Sequence, residues 1–301
     1  MPKPVGAASV RRCYQNNMRV KMKVNESQSV VGYLGPRGTF SEEVAMEYGR
    51  GNNILLRPYA SIEQVVRAVE TQEVRYGIVP VENSLEGSVN LTLDLLTGEN
   101  WVRVCGEMLH RVKHFLLALP GQSTAGIEEV YSHPQALAQC RGFIEERLPG
   151  VSCREMASTA EAAGKISGQK GKAVIASRKA AGLYGLEVIA RDIQDEENNI
   201  TRFLLLSGED AFATGDDKTS LLLGLRDRPG SLYSLLGIFA RHQLNLTKIE
   251  SRPIRGDLGK YKFFLDVEGH QTDDRVAEAL QEIEQEALFL KILGSYPRAV
   301  L

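Results

Sequence analysis

Four short polar segments hold the side chains of this sequence that are best suited to bind and polarise a small ligand. In the first, residues 32–42, glycines let the backbone approach a ligand closely. Thr39 and Glu42 have the spacing of a capping box, which predicts that a helix begins there. Because a helix N-terminus carries free N–H groups and partial positive charge, this loop is suited to an anion. An ordinary strand–turn–helix joint explains the same residues equally well.

The second segment, residues 79–90, follows a predicted buried strand and contains Glu82, Asn83 and Ser84 in succession. Polar residues at the carboxyl end of such a strand are expected to project into a ligand crevice. Ser88 is a suitable N-cap for the helix predicted after it. A simple polar turn is the alternative, but the density of hydrogen-bonding groups favours a binding site.

The third segment begins a predicted helix. Pro134 suits the first helical position, so Ser132 or His133 is the expected cap. Gln135 and Gln139 are four residues apart and share a helix face that is distinct from the apolar stripe. We therefore expect this glutamine face to line a cleft, with His133 as a cap or support rather than a base.

The fourth segment, residues 198–203, enters a predicted strand. Thr201, Arg202 and Phe203 alternate between the two faces of that strand. A threonine hydroxyl is a weak acid in water, and taken alone Thr201 is equally well explained as a β-branched strand residue.

The composition excludes several classes of partner. Lys and Arg total 36 against 38 Asp and Glu, so a formal charge of −2 gives no basic excess for nucleic acid. No apolar run reaches the roughly 18 residues that a membrane span needs. The four cysteines are irregularly spaced, which favours reduced thiols in the cytoplasm. His110 and His114 are four residues apart but lack a third ligand, so no metal site is predicted.

The hydrophobic pattern divides the chain into parts. Residues 1–28 are basic without a sustained apolar stretch, which predicts a disordered leader or an early start codon rather than a secretory signal. From residue 29 to 206, short β-type runs alternate with helical stretches, which predicts an α/β fold with mainly parallel sheets. Because about 180 residues is long for one such sheet, we predict two lobes around a ligand cleft.

The predicted boundaries place residues 29–107 and 196–206 in lobe one and residues 108–195 in lobe two. Within lobe two, residues 110–119 are predicted as one strand and residues 134–147 as one helix.

A polar stretch, residues 207–217, is predicted to be a linker. Residues 218–301 then follow the order βαββαβ, which is the ferredoxin-like plan. In the first helix of this unit we predict four inward-facing side chains, namely Leu232, Leu235, Leu236 and Phe239.

Taken together and in this order, the four segments resemble the prephenate dehydratase family from Val31 to about Pro297. The C-terminal unit is similar to an ACT domain of the aromatic type through residues 228–232 and 250–253, with Ser231 where the family often has Ala. The resemblance implies a two-lobed catalytic domain like type II periplasmic binding proteins, followed by a regulatory ACT domain. It also implies conversion of prephenate to phenylpyruvate in L-phenylalanine biosynthesis, without a cofactor and with feedback inhibition by phenylalanine.

The resemblance assigns roles to individual residues of this sequence. Thr201 is the candidate acid or proton relay. The candidate substrate-binding residues are Asn83, Ser132, Gln139, Glu82, Ser84, Thr39, Ser41, Arg37, Arg178, Arg202 and Phe203. The candidate phenylalanine-binding residues are Arg228, Pro229, Gly230, Ser231, Leu232, Asn245, Glu250, Ser251, Arg252 and Pro253.

Two alternative functions remain open at this point. Arogenate dehydratases catalyse the same chemistry on the transaminated substrate, and no residue of the sequence separates the two. A two-lobed sensor without catalysis would share the lobe plan, because fold alone does not determine function. For the enzyme we expect a cytoplasmic homodimer or homotetramer, since ACT units of this type sense amino acids between two chains, with no nucleic-acid or membrane partner.

Overall fold

A computed structural model describes residues 29–51, 53–98, 101–254 and 257–300 of the chain. The predicted leader, residues 1–28, lies outside the described residues.

The first lobe is built on a sheet with the strand order β2-β1-β3-β11-β5, with the short β4 paired to β3. Side chains cap two of its helices: the Thr39 side chain accepts a hydrogen bond from Glu42 N at the start of α1, and the Ser61 side chain accepts one from Gln64 N at the start of α2. The elements are β1 (Ser29–Leu34), α1 (Phe40–Gly49), β2 (Ile54–Tyr59), α2 (Ile62–Glu70), β3 (Tyr76–Asn83), β4 (Gly87–Ser88), α3 (Asn90–Leu96), β5 (Arg103–Arg111) and β11 (Ile200–Ser207).

The second lobe has the strand order β10-β6-β9-β7-β8. Its elements are β6 (Phe115–Ala118), a 3-10 turn (Thr124–Gly126), β7 (Glu129–Ser132), α4 (Pro134–Gln139), α5 (Arg141–Arg147), β8 (Ser152–Glu155), α6 (Thr159–Ile166), β9 (Lys172–Ala176), α7 (Arg178–Tyr184) and β10 (Glu187–Ala190).

The C-terminal unit has the predicted βαββαβ order and an antiparallel sheet ordered β13-β14-β12-β15. Its elements are β12 (Asp217–Gly224), α8 (Ser231–Arg241), β13 (Leu246–Ile254), β14 (Asp257–Glu268), α9 (Asp274–Glu286) and β15 (Phe289–Pro297).

Both lobe sheets are mixed, which corrects the prediction of mainly parallel pairing. In the first lobe β1 runs parallel to β2 and β3, whereas β11 runs antiparallel to β3 and β5. The reason is topological, because the strand that returns the chain from the second lobe must run opposite to the strand that leaves.

The predicted single strand over residues 110–119 is wrong. β5 stays in the first sheet as far as Arg111, and β6 begins in the second sheet at Phe115, so residues 108–111 belong with lobe one. The segment between them crosses between lobes beside the returning chain, since Val112 N donates to Asn199 O at 2.8 Å and Ile193 N donates to His114 O at 3.1 Å.

The predicted single helix over residues 134–147 is also divided, at Cys140, where φ is −120° and ψ is 20°. Asp195 causes the break. Its backbone N donates to Gln139 O at 2.7 Å, and its carboxylate accepts from Gly142 N at 3.2 Å, so two helical hydrogen bonds are replaced.

The start of α3 is corrected in the same way, because Ser88 is in β4 and the N-cap residue is Val89, which offers no side-chain cap.

The sheet of the C-terminal unit is covered on both faces. Leu221, Leu223 and Leu265 pack against α8 and α9. On the opposite face Leu222, Phe264, Leu293 and Tyr296 share one hydrophobic core with lobe-one residues. The C-terminal sheet is therefore packed directly on the first lobe.

The inward face of α8 differs slightly from the prediction. Leu235, Ile238 and Phe239 are buried, while Leu232 is 37% exposed and Leu236 is half-buried.

Candidate active site between the lobes

Three neighbouring strands of the first sheet, β3, β11 and β5, place three polar side chains in one row. Thr201 of β11 is paired in register with Asn83 of β3 on one side and His110 of β5 on the other. Directly opposed residues project from the same face of a sheet, so the three side chains lie together.

Asn83 holds the Thr201 hydroxyl in a defined orientation. Asn83 Oδ1 accepts from Leu85 N at 3.0 Å and Glu86 N at 3.1 Å, which identifies Nδ2 as the free donor of the amide. Nδ2 donates to Thr201 Oγ1 at 2.9 Å. Since the oxygen is an acceptor here and no acceptor for its proton is found among the described residues, the Thr201 O–H is free to donate to a ligand.

The network continues across the cleft into lobe two. Asn83 Nδ2 donates to Asn199 Oδ1 at 2.7 Å, and Asn199 Nδ2 donates to Gln139 Oε1 of α4 at 2.9 Å. Gln139 Nε2 lies 3.5 Å from Glu86 Oε1, back in lobe one. The amides thus form a directional chain that fixes one lobe against the other around Thr201.

His114 is a neutral imidazole at the end of this chain. Its Nε2 lies 2.9 Å from Gln139 Oε1, an acceptor, so Nε2 carries the proton. Burial lowers the pKa of His114, and the hydrogen bond to Gln139 only partly opposes that effect. Nδ1 has no partner among the described residues.

The loop of the first segment, residues 35–39, which we call the glycine loop, packs on lobe two. Gly38 O accepts from Ser177 Oγ at 3.0 Å, and Gly38 N donates to Glu42 Oε2 at 2.7 Å. Glu42 Oε2 also lies 2.8 Å from Lys179 Nζ of α7. Burial raises the pKa of Glu42, but the hydrogen bonds from Lys179 and Gly38 outweigh it and leave that pKa below its ordinary value.

A cluster on α1 completes the wall beside Thr201. The Phe40 ring centre lies 5.9 Å from that of His110 and 5.7 Å from that of His114. Glu43 Oε2 lies 3.3 Å from His110 Nε2. The wall therefore combines an aromatic face with two imidazoles and a carboxylate.

The prephenate dehydratase family profile matches residues 31–211, and the ACT domain profile matches residues 219–285. The chain belongs to the prephenate dehydratase family. It is 44% identical over 276 residues to the bifunctional chorismate mutase/prephenate dehydratase of Aquifex aeolicus, covering 92% of this chain and 75% of that protein.

One further relative is named for both arogenate and prephenate, and another has been solved with a bound ligand. The chain is 37% identical over 310 residues to the Arabidopsis thaliana arogenate dehydratase/prephenate dehydratase 2, covering 99% of this chain and 78% of that protein. The crystal structure of a prephenate dehydratase in complex with L-Phe from Arthrobacter aurescens aligns with a TM-score of 0.83 at 36% identity, covering 90% of each chain.

Of the substrate residues that the family resemblance suggested, the structure brings together Asn83, Gln139 and Thr201. Ser84 lies beside them, donating through Oγ to Asn198 O at 2.9 Å and accepting from Ile200 N at 3.0 Å, so it anchors the start of β11. Arg178 is exposed at the first position of α7, with no ion-pair partner among the described residues.

Other suggested residues have structural partners. The Thr39 hydroxyl caps α1 and donates to backbone carbonyls of its own loop, and Arg37 lies 3.5 Å from Glu42. Ser132 is fully buried and donates to Ile175 O at 2.6 Å, so it holds β7 against β9. Ser41 is buried on α1, and Phe203 is buried in the core shared with Tyr33 and Ile78.

Arg202 and Glu82 are corrected outright, because both face away from the cleft. Arg202 Nε lies 2.6 Å from Glu107, and its Nη atoms bind Asp266 at 2.5 Å and the Tyr296 hydroxyl at 2.9 Å, both in the ACT unit. Burial lowers the pKa of Arg202, but the interactions with Tyr296, Asp266 and Glu107 raise that pKa by more than burial lowers it. The pKa therefore lies above its ordinary value, and Arg202 stays a cation.

Glu82 has the same orientation, since Lys248 Nζ of β13 lies 3.1 Å from its Oε2. Strand alternation put both residues on the face that the ACT sheet covers.

The suggested effector residues fall in two segments of the ACT unit, one after β12 and one in β13. Residues 226–230 form an exposed loop after β12, with Arg228 3.4 Å from Glu286. Gly230, the N-cap residue of α8, has a φ of +85°, in the left-handed region that favours glycine. Both this loop and the end of β13 lie at the same end of the ACT sheet, since Gly224 and Arg252 pair with the same residue, Lys262.

Along β13, the side chains of the suggested effector residues alternate between the catalytic lobe and solvent. Glu250 contacts Ser88, and Arg252 lies 3.0 Å from Asp94, whereas Ser251, Pro253 and the preceding Asn245 are exposed.

Several residues of the site were missed by sequence reasoning: Phe40, Glu43, Asn199 and the two histidines as cleft residues. His110 could have been found by aligning β5 with β11, because it is the register partner of Thr201. Over the described part of the chain, no group of three His, Cys, Asp or Glu side chains is arranged to hold a metal ion. No helix in that part is long and apolar enough to cross a membrane.

Proposed function

We propose that this chain converts prephenate to phenylpyruvate, with loss of carbon dioxide and water, in the cleft around Thr201. The observation that carries the proposal is the Thr201 hydroxyl, whose oxygen accepts from Asn83 while its proton remains free to donate. Membership of the prephenate dehydratase family supports the substrate, since relatives that match nearly the whole described chain carry that name.

The reaction requires the protein mainly to orient the substrate and to donate one proton. The bond to the ring carboxylate breaks, its electrons form a new ring double bond, and the carbon–oxygen bond at the opposite ring position breaks as that oxygen leaves as water. Aromatisation supplies the driving force, so the residues need only hold the dianion and donate a proton to the leaving oxygen. Donation by Asn83 polarises the Thr201 hydroxyl and strengthens it as a donor.

The substrate's anionic groups need cationic anchors at the mouth of the cleft. Arg178 and Arg37 are both exposed on the two sides of the contact between the glycine loop and α7. Guanidinium groups suit carboxylates because they can donate two parallel hydrogen bonds. We assign one substrate carboxylate to this pair, leaving the departing carboxylate near the Phe40 ring, where its charge is poorly stabilised.

L-Phenylalanine is the proposed inhibitor, bound through the ACT unit by residues 228–232 and 250–253. The L-Phe complex of the Arthrobacter aurescens relative supports this assignment. Because residues 228–230, Ser251 and Pro253 are exposed at one end of the ACT sheet, we propose that a partner chain covers them and that a homodimer or homotetramer completes the effector site. The edge position of β13 and exposed Tyr233 and Ile249 support pairing of ACT units. Analytical ultracentrifugation tests it, and a monomer with full phenylalanine sensitivity would disprove it.

We place the enzyme in the cytoplasm, which fits the free thiols of Cys105, Cys140 and Cys153.

The decisive experiment measures phenylpyruvate absorbance from prephenate, with and without phenylalanine. Parallel measurement with arogenate decides between the two substrates, since the Arabidopsis thaliana relative carries both names. A higher specificity constant for arogenate would reassign the substrate, and binding of prephenate without turnover would favour a sensor.

A further inference from the structure

The ACT unit contacts the turn that carries Asn83 through ion pairs and hydrogen bonds. Glu82 of β3 and Ser88 of β4 are register partners at the base of this turn. From β13 of the ACT unit, Lys248 Nζ lies 3.1 Å from Glu82 Oε2 and 2.9 Å from Ser88 Oγ. Glu250 hydrogen bonds to Ser88 and lies 3.2 Å from Lys248. We call these four residues the turn clamp.

Lys248 is the central residue of the clamp. An ammonium has three donors, and the oxygens of Glu82, Ser88 and Glu250 provide three acceptors. The Lys248 side chain is only 10% exposed. The side chains of Glu82 and Glu250 are 38% and 20% exposed, so the clamp shields Lys248 from water while its carboxylate partners stay partly solvated.

The clamp acts next to the candidate catalytic hydroxyl. Glu82 points to the ACT unit, and the next residue, Asn83, points to Thr201 and orients it at 2.9 Å. Ser88 fixes the other strand of the same turn, and Asn83 Oδ1 is bonded inside the turn to Leu85 N and Glu86 N. A displacement of the clamped strands therefore moves the donor that orients Thr201.

The opposite end of the clamp lies in the proposed effector segment. Glu250 is both a clamp residue and the first residue of the segment 250–253, two positions after Lys248 on the same face of β13. A ligand that engages Glu250 competes directly with Ser88 and Lys248 for its carboxylate. The proposed effector segment and the clamp therefore share the Glu250 carboxylate.

We propose that Lys248 is a positioning residue for Asn83, and that phenylalanine inhibits the enzyme by loosening the turn clamp. The inference rests on the proposed function, and it deepens that function by naming the element that both sites bias. Inhibition then follows from a ligand that binds better to the state with the clamp open.

The test compares Lys248→Met with Lys248→Arg, which keeps the charge. The matched control is Lys291→Met, which removes an ACT lysine at the same interface that binds Leu96 O at 3.2 Å and Gly98 O at 2.6 Å but does not contact the turn. For each protein we would measure kcat, KM for prephenate, phenylalanine affinity by calorimetry, and hydrogen exchange of residues 80–90.

We expect Lys248→Met to lower kcat about tenfold with KM changed less than about threefold, because the loss is in orientation rather than binding. Phenylalanine should still bind, yet inhibit the remaining activity less than about twofold, because the open state is already populated. Lys248→Arg should restore most of the kcat and the inhibition. Lys291→Met should keep the inhibition of the unmodified protein.

Hydrogen exchange of residues 80–90 is a measurement that does not depend on turnover. Phenylalanine should accelerate exchange in residues 80–90 of the unmodified protein, and Lys248→Met should exchange fast there without it. Normal phenylalanine inhibition in Lys248→Met, or slow exchange of that segment, would overturn the proposal. If Lys248→Met does not fold, Glu82→Gln weakens the same contact and must give the same results.

Absence of prephenate turnover in the unmodified protein would instead refute the proposed function. Hydrogen exchange of residues 80–90 would then still test whether phenylalanine loosens the turn clamp.

Discussion

Thr201 and Arg202 are consecutive residues of β11, and their side chains project from opposite faces of the first sheet. Thr201 Oγ1 lies in the cleft, 2.9 Å from Asn83 Nδ2, while Arg202 is buried against the ACT unit, 2.5 Å from Asp266. One strand therefore forms part of both the candidate catalytic site and the junction with the regulatory sheet.

Thr201→Val removes the hydroxyl and keeps the shape of the β-branched side chain. If the hydroxyl donates the proton, kcat should fall by at least about 100-fold, within the range usual for general acids. Thr201→Ser retains the hydroxyl and should keep far more activity. Steady-state phenylpyruvate formation, with circular dichroism as a control for folding, checks this. Near-normal turnover by a folded Thr201→Val protein would show that the residue is only a strand former.

Arg202→Met should destabilise the protein by about 3 kcal/mol, because it leaves Asp266 buried without its Arg202 partner and Glu107 with Lys218 as its remaining cation. Arg202→Lys should lose less, but it cannot reproduce the contacts with three separate partners. Urea unfolding provides the measurement.

The matched control is Arg75→Met, which breaks an exposed pair with Glu209 and should cost under about 1 kcal/mol. Equal losses in the two Met variants would show that the buried junction contributes no more than a surface pair.

His114 should make stability depend on pH below neutrality. Its pKa is lowered in the folded protein, so above its ordinary value of 6.5 both the folded and unfolded states are neutral and there is no penalty. Below that value the unfolded state takes up a proton first, and stability falls by at most about 1.4 kcal/mol per pH unit.

His114→Asn should flatten this part of the curve. Urea unfolding between pH 7.5 and 5, at intervals of half a unit, measures it. An unchanged slope in the variant would assign the pH dependence to other groups.

Glu42→Gln should weaken the contact between the glycine loop and α7. The pKa of Glu42 is lowered in the folded protein, so its contribution is complete above the ordinary value of 4.5 and is lost as pH falls through the folded value. At pH 7 we expect a loss of about 2 kcal/mol, and a smaller difference from the unmodified protein at pH 3.

Glu47→Gln, an exposed position on the same helix, is the control and should change stability by less than about 0.5 kcal/mol. A loss at pH 7 that persists unchanged at pH 3 would rule out the ionised carboxylate as its source.

The family and the plan of the fold could be predicted from the sequence. Periodicity located nearly every element, Thr39 was identified as a cap, and the βαββαβ order of residues 218–301 is confirmed. Local patterns carry this information because helix and strand periods, caps and turns depend on residues close together in the chain.

The composition of the cleft depended on contacts between distant parts of the chain. Alternation along β11 established that Thr201 and Arg202 face opposite ways, but not which face is the cleft, because the ACT sheet decides that by covering one of them. The same docking turns Glu82 away from substrate and into the clamp with Lys248. Register between strands more than 100 residues apart, as for Asn83 and Thr201, is set by packing of the whole sheet and leaves no local signal in the sequence.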